Sequence, residues 1–238
     1  MCGRFSQALD WSEMVNLYRI TMPVTSPVAK PRYNIAPTQR VAVVRPVAQG
    51  RELSPLQWGL VPHWAKSRDI GASLINARGE TAHEKPSFRD AIRRRRCLVP
   101  ADGFYEWKTE NGAKQPYRIS LGNGGGFAFA GLWECWKHGA DGLPLETFTI
   151  ITTAANSLLQ PIHHRMPVIL DESDHDAWLD TAVPVTVAWA LLRPFPAERM
   201  TVRRVGTRVN SVAFDDPDCL AEVTAPAVPQ QPRQLGLF

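Results

Sequence analysis

Apolar and polar positions along the chain recur mostly with the two-residue period of β-strands. Val41 to Val47 and Leu53 to Leu60 read as two strands separated by a glycine-containing turn. Cys97 to Pro100, Tyr117 to Leu121, Phe127 to Trp133, Thr147 to Thr153 and Met200 to Val205 continue the pattern. Gly122 to Gly126 is expected to be a hairpin turn. Helical periodicity is rarer. Asp10 to Tyr18 reads as a capped amphipathic helix with Met14, Leu17 and Tyr18 on one face. Pro86 to Arg96, Ser173 to Leu179 and Val185 to Leu192 are the other helical candidates. Strands outnumber helices and β-α-β alternation is scarce. The pattern predicts an α+β fold, a single domain with a mainly antiparallel, barrel-like β-sheet core and peripheral helices.

The connections carry the punctuation. Trp58-Gly59-Leu60-Val61-Pro62-His63-Trp64 is expected to leave the sheet as an aromatic loop, and Ala101 to Trp107 to form a loop after the Cys97 strand. No internal repeat or linker precedes residue 221 or so. Ala221 to Arg233, rich in Pro, Ala and Gln, reads as a flexible tether, so the division expected is a folded unit over 1–220 and a tail over 221–238.

Composition narrows the setting. The chain has 238 residues, 44% of them hydrophobic, enough for a sizeable core. A net charge of +4 permits a basic groove without demanding one. Cys2, Cys97, Cys135 and Cys219 form no CxxC pair and have no nearby Cys/His ligand spacing, so neither a zinc site nor a disulfide framework is expected, and no cofactor. The N-terminus lacks the regions of a signal peptide, and the longest apolar stretch, Val183 to Leu192, is too short to span a bilayer. A reducing, cytoplasmic compartment is the expectation, with no membrane partner.

Candidate chemistry begins at Met1-Cys2-Gly3-Arg4-Phe5. If Met1 is removed, Cys2 becomes a 1,2-aminothiol, whose amine and thiol can condense in turn with an aldehyde to close a thiazolidine ring. Taken alone, Cys2 is better read as simply the residue after the start. Three further polar clusters, Asn76-Ala77-Arg78-Gly79-Glu80, Glu106-Trp107 and His163-His164-Arg165, add an amide, carboxylates, imidazoles and guanidiniums. These are the groups that orientation, proton transfer and phosphate binding require, although each has a structural reading when taken singly. The Arg93 to Arg96 run can hold phosphates, but cations at a helix C-terminus also suit the dipole as solvated residues, and the second reading is favoured.

Six blocks, in order, carry a resemblance. They are Met1 to Phe5, Arg32-Tyr33-Asn34-Ile35-Ala36-Pro37, Trp58-Gly59-Leu60, Asn76-Ala77-Arg78 with Glu80-Thr81, Ala101 to Trp107, and Ile162 to Leu170. Together they resemble the SRAP family, the SOS-response-associated peptidases also called abasic-site processing proteins. The resemblance implies an abasic-site sensor that binds single-stranded DNA. In that role Cys2, freed of Met1 by self-processing, crosslinks to the open-chain aldehyde. It implies Cys2 as nucleophile, Asn76 as orienting amide, Glu106 as proton carrier and His163 as the acid at the sugar ring oxygen, with His164 at most behind it. An imine at C1′ also acidifies C2′, so a lyase side reaction is expected to compete.

For DNA binding, Arg4 and Arg78 are the expected phosphate clamps, Thr152 and Arg165 further contacts, and Trp58, Trp64 and Trp107 the stacking candidates, with core packing an equal reading for the tryptophans. The tail ends Gln234-Leu235-Gly236-Leu237-Phe238, which resembles the motif by which bacterial proteins bind the replication sliding clamp. Gln234, Leu235, Leu237 and Phe238 are its expected anchors, against the alternative of a tail folded back on an apolar patch. Rival readings are an N-terminal-nucleophile amidohydrolase using Cys2 on amides and a noncovalent single-strand-binding module. A monomer associated with the nucleoid completes the expectation.

Overall fold

The computed structural model describes residues 2–21, 30–137 and 142–224. Among the described residues thirteen strands, β1 to β13 in chain order, form two sheets, accompanied by four short helices, α1 to α4. Five strands close a barrel: β3 (Arg40–Val47), β4 (Gly50–Trp58), β6 (Arg96–Ala101), β9 (Phe127–Trp136) and β10 (Leu145–Ala154). Closure is made by β10, antiparallel to β9 on one edge and parallel to β4 on the other, with Phe148 opposite Trp58. Beyond β4, the same edge of β10 takes up β5 (Asn76–Arg78) in parallel. Where β9 and β10 diverge, β11 (Arg165–Pro167) and β12 (Ile169–Leu170) fill the gap, and Val168 between them bonds Ile151 on one side and Ala130 on the other.

The second sheet is antiparallel, in the order β13 (Met200–Arg204), β8 (Ala113–Leu121), β7 (Gly103–Glu110), β1 (Phe5–Gln7), β2 (Arg32–Ile35). The chain crosses from barrel to second sheet at Asp102. Its N–H donates to the Ser6 carbonyl, and its carboxylate accepts from Ala8 N–H and from Arg118. Apolar side chains join the two layers: the Phe5 ring stands edge-on to Trp58 at 5.1 Å and to Phe129 at 5.7 Å. Cys97, Val99 and Phe129 belong to this shared core, whereas their neighbours Leu98, Ala128 and Ala130 belong to a second core with α1 (Trp11–Tyr18) and α3 (His175–Leu179). Strands buried on both faces read as unbroken apolar runs, which is why β9 shows little alternation.

The expected α+β architecture with a barrel-like, mainly antiparallel core is present, and several local expectations are corrected. Gly122 to Gly126 is not a hairpin: it carries the chain from β8 in one sheet to β9 in the other. Ala101 to Trp107 is mostly strand, because Gly103 to Glu106 are buried in β7 and offer no polar alternation. Helix α2 covers only Ala91–Arg94, preceded by turns, since Arg96 is drawn into β6. Arg96 is fully buried, donating to the carbonyls of Ile92, Trp178 and Asp180, so it is not a solvated end-of-helix cation. The remaining helix is α4 (Val185–Ala190). Among the described residues no helix is long and apolar enough to cross a membrane, and no group of three His, Cys, Asp or Glu side chains is arranged to hold a metal.

His175, in the first turn of α3, is buried against the Tyr18 ring with both ring nitrogens lacking partners among the described residues. Burial, helped by Arg51, lowers its pKa from 6.5 to about 4. The unfolded chain therefore binds this proton first as pH falls. Stability present above pH 6.5 is lost between 6.5 and about 4, by up to roughly 3 kcal/mol. Urea midpoints should fall accordingly from pH 7.5 to pH 5, and His175→Phe, which cannot charge, should flatten that fall.

Candidate active site

Chain ends usually fray, and here the end is tied into both layers. Strand β1 pairs with β7 through Phe5 opposite Phe104, and Tyr105 N–H donates to the Arg4 carbonyl. Continued two residues further, that register sets Gly3 across from Glu106. From the barrel side, Asn76 in β5 donates its Nδ2–H to the Cys2 carbonyl at 2.8 Å. Its Oδ1 is buried without a partner among the described residues. Cys2 is thus fully buried where the two layers meet, its Sγ 4.0 Å from the Arg4 carbonyl.

The electrostatics follow from that burial. Loss of solvent, and next the negative charge of Glu106, push the Cys2 thiol well above the usual cysteine range. Burial likewise raises the Glu106 carboxyl, against the opposing pull of the chain's N-terminal charge. Burial lowers His163, with the same N-terminal charge the next contribution. The same N-terminal charge acts on Cys2, Glu106 and His163. His163 Nδ1 lies 3.0 Å from the Arg165 N–H and 3.2 Å from the Arg165 carbonyl, so the backbone of Arg165 holds the ring in place. His164 stacks on His163 at 4.4 Å.

The expected DNA contacts separate into two groups. Arg78 is exposed on β5 and Trp64 is 50% exposed on its loop, so both remain available to a ligand. Trp107 is partly buried, donating to Asn210 Oδ1 with the Arg4 guanidinium 5.8 Å from its ring. Arg4 directs Nη1 to Asn34 Oδ1 and to the Val209 carbonyl, each at 2.7 Å, and keeps Nη2 unengaged among the described residues.

Three assignments are overturned. Trp58 is fully buried, donating to the Ile75 carbonyl inside the aromatic core, and cannot stack on a base. Thr152 is fully buried in β10. Arg165 spends its guanidinium on Glu80, at 2.5 and 2.9 Å, and on Thr152, pinning β11 beside His163 rather than facing a phosphate. The anchors Gln234, Leu235, Leu237 and Phe238, like Met1, lie outside the described residues.

Asn34 is the residue that sequence reasoning passed over. Fully buried in β2, it accepts from Arg4 and donates Nδ2–H to the carbonyls of Ser211 and Phe214. Asp215 accepts from the N–H groups of Tyr33 and Asn34 and from Arg32. Together they clamp the segment 207–216 over β2 and the start of β1. Its signal was an asparagine inside a strand of only four residues, between Tyr33 and Ile35.

The second residue of the chain thus carries a buried thiol, held by the Asn76 amide and felt by the Glu106 carboxylate. The chain belongs to the family described as SOS response associated peptidase (SRAP), which matches residues 1–212. It is 40% identical over 222 residues to abasic site processing protein YoqW of Bacillus subtilis (strain 168), covering 92% of this chain and 99% of that protein. It is 38% identical over 197 residues to abasic site processing protein HMCES of Gallus gallus, covering 73% of this chain and 58% of the relative. A crystal structure of a protein from Bacteroides thetaiotaomicron superposes with a TM-score of 0.85 at 29% identity, over 94% of this chain and all of that one.

The two tryptophans at the ends of the aromatic loop should differ in kind. Trp58→Ala empties a core position and is expected to cost about 3–5 kcal/mol in urea unfolding. Trp64→Ala should leave the unfolding midpoint within about 0.5 kcal/mol of the parent while weakening single-strand binding.

Proposed function

We propose that the chain processes abasic sites in single-stranded DNA by covalent capture through Cys2. The convergence of Asn76, Glu106 and His163 on the chain start carries this reading, and the names of the relatives support it. Removal of Met1 leaves the Cys2 amine beside the Asn76 amide, whose open Oδ1 is suited to accept its N–H. The amine attacks C1′ of the ring-opened sugar and water leaves, giving an imine. The Cys2 sulfur then attacks the same carbon, and its proton passes to the ring nitrogen, closing the thiazolidine.

Burial assigns the proton carriers. A thiol held neutral does not react first, so the amine leads. Glu106, with its carboxyl raised by burial, is suited to take a proton and return it. Burial lowers the His163 pKa, which suits the ring to donate a hydrogen bond at the sugar ring oxygen. The same imine acidifies C2′ and opens a lyase route by β-elimination of the 3′ phosphate, with which ring closure competes. Self-processing of Met1 fits a carboxyl at this position and explains the peptidase name. The protein acts as a monomer in the cytoplasm, near the nucleoid, with a catalytic unit over 1–220 and the tail carrying the clamp motif.

A denaturing gel with single-stranded DNA containing or lacking an abasic site tests the mechanism. The parent should give a heat-stable shifted band with abasic DNA only, Cys2→Ala none, and Glu106→Gln a band forming about 10²-fold more slowly. Adducts from Cys2→Ala would refute it. Deleting residues 234–238 should abolish capture by purified sliding clamp and leave the crosslinking rate unchanged; a fall in crosslinking would instead indicate a tail that supports the fold.

A further inference from the structure

The four consecutive arginines have different fates. Arg96 is buried, and Arg95 donates to Glu134 at 2.7 Å, while Arg93 and Arg94 are exposed and pair with no carboxylate among the described residues. Arg94 and Arg95 face a hollow of about 570 Å³ that His63, Asp90, Glu134 and Lys137 also line. Glu134 is buried at its floor, held by Arg95 and, at 3.2 Å, by His63 Nδ1. Its charge is thereby matched inside the protein, leaving Arg94 and Lys137 to set the sign of the rim against Asp90. His63, on the wall of the hollow, is the chain neighbour of the exposed Trp64.

Its distance from Cys2 is set by β10. Glu134 pairs with Thr147 on one edge of β10, and Asn76 pairs with Ile150 on the other. Three residues along the strand and two strand spacings across put the two backbones roughly 14 Å apart. At the ~3.4 Å rise of a stacked strand that is at most about four nucleotides, and fewer for an extended single strand.

We propose that this hollow is a second DNA contact, taking the phosphodiester backbone of the strand that flanks the lesion after it passes Trp64, with Arg94 and Lys137 as its phosphate ligands. The proposal rests on the DNA reading above. A phosphate backbone fits better than a small anion, because the free cations lie along a rim on two elements rather than closing around one point.

The test uses the full chain and undamaged oligothymidines: a five-nucleotide core and the same core extended by six nucleotides at the 5′ or the 3′ end. The parent should gain affinity from one extension polarity. In Arg94→Glu with Lys137→Glu that gain should vanish, and the slope of log affinity against log salt should drop by about 1.4 for the extended strand, two contacts at ~0.7 each. Both side chains are exposed, so the variant should keep the parent's unfolding midpoint and its crosslinking of a five-nucleotide abasic strand. A gain that survives the double variant, or no gain from either extension, overturns the proposal. Failure of the parent to crosslink any abasic strand would instead overturn the capture reading, and the undamaged strands would still decide this one.

Discussion

Everything proposed for this protein depends on holding still the part of a polypeptide that is ordinarily least ordered. A nucleophile on residue 2 has only a few covalent bonds between it and a free end. The fold answers with hydrogen bonds from two independent layers, Tyr105 N–H to the Arg4 carbonyl from the second sheet and Asn76 to the Cys2 carbonyl from the barrel edge. The Phe5 ring then fixes both layers to one another through Trp58 and Phe129. Trp58 serves the site by packing, as the floor on which β1 rests.

Burial that immobilises also sets reactivity. The same exclusion of water raises the thiol and the carboxyl and lowers the imidazole. A thiol kept protonated avoids indiscriminate thiolate chemistry. In the proposed capture the amine is therefore the group that acts first.

The alternation of β3 and β8, and the capped start of α1, were legible because one-sided burial or a capping box writes a local signature. β7 was not, since Phe104, Tyr105 and Glu106 are buried on both faces and lie where a loop was expected. Arg96, Trp58 and Arg165 misled for one reason: a polar or aromatic side chain gives no sign in sequence of whether its partner is solvent, a carbonyl or an ion pair formed far along the chain. The site residues come from β1, β5, β7 and the segment before β11, and no periodicity connects them. Only their occurrence as ordered blocks in a family made them visible. Asn34 lay inside one of those blocks, yet its role depends on Ser211, Phe214 and Asp215, which no local pattern links to it.

The burial of Cys2 also has a meaning in time. Its immediate surroundings are completed by β7, so during synthesis the N-terminus stays open until Phe104 and Tyr105 have emerged to pair with β1. At ribosomal rates of roughly 5–20 residues per second, that interval lasts some 5–20 s. Once β7 has paired with β1, the Cys2 side chain is closed off from solvent.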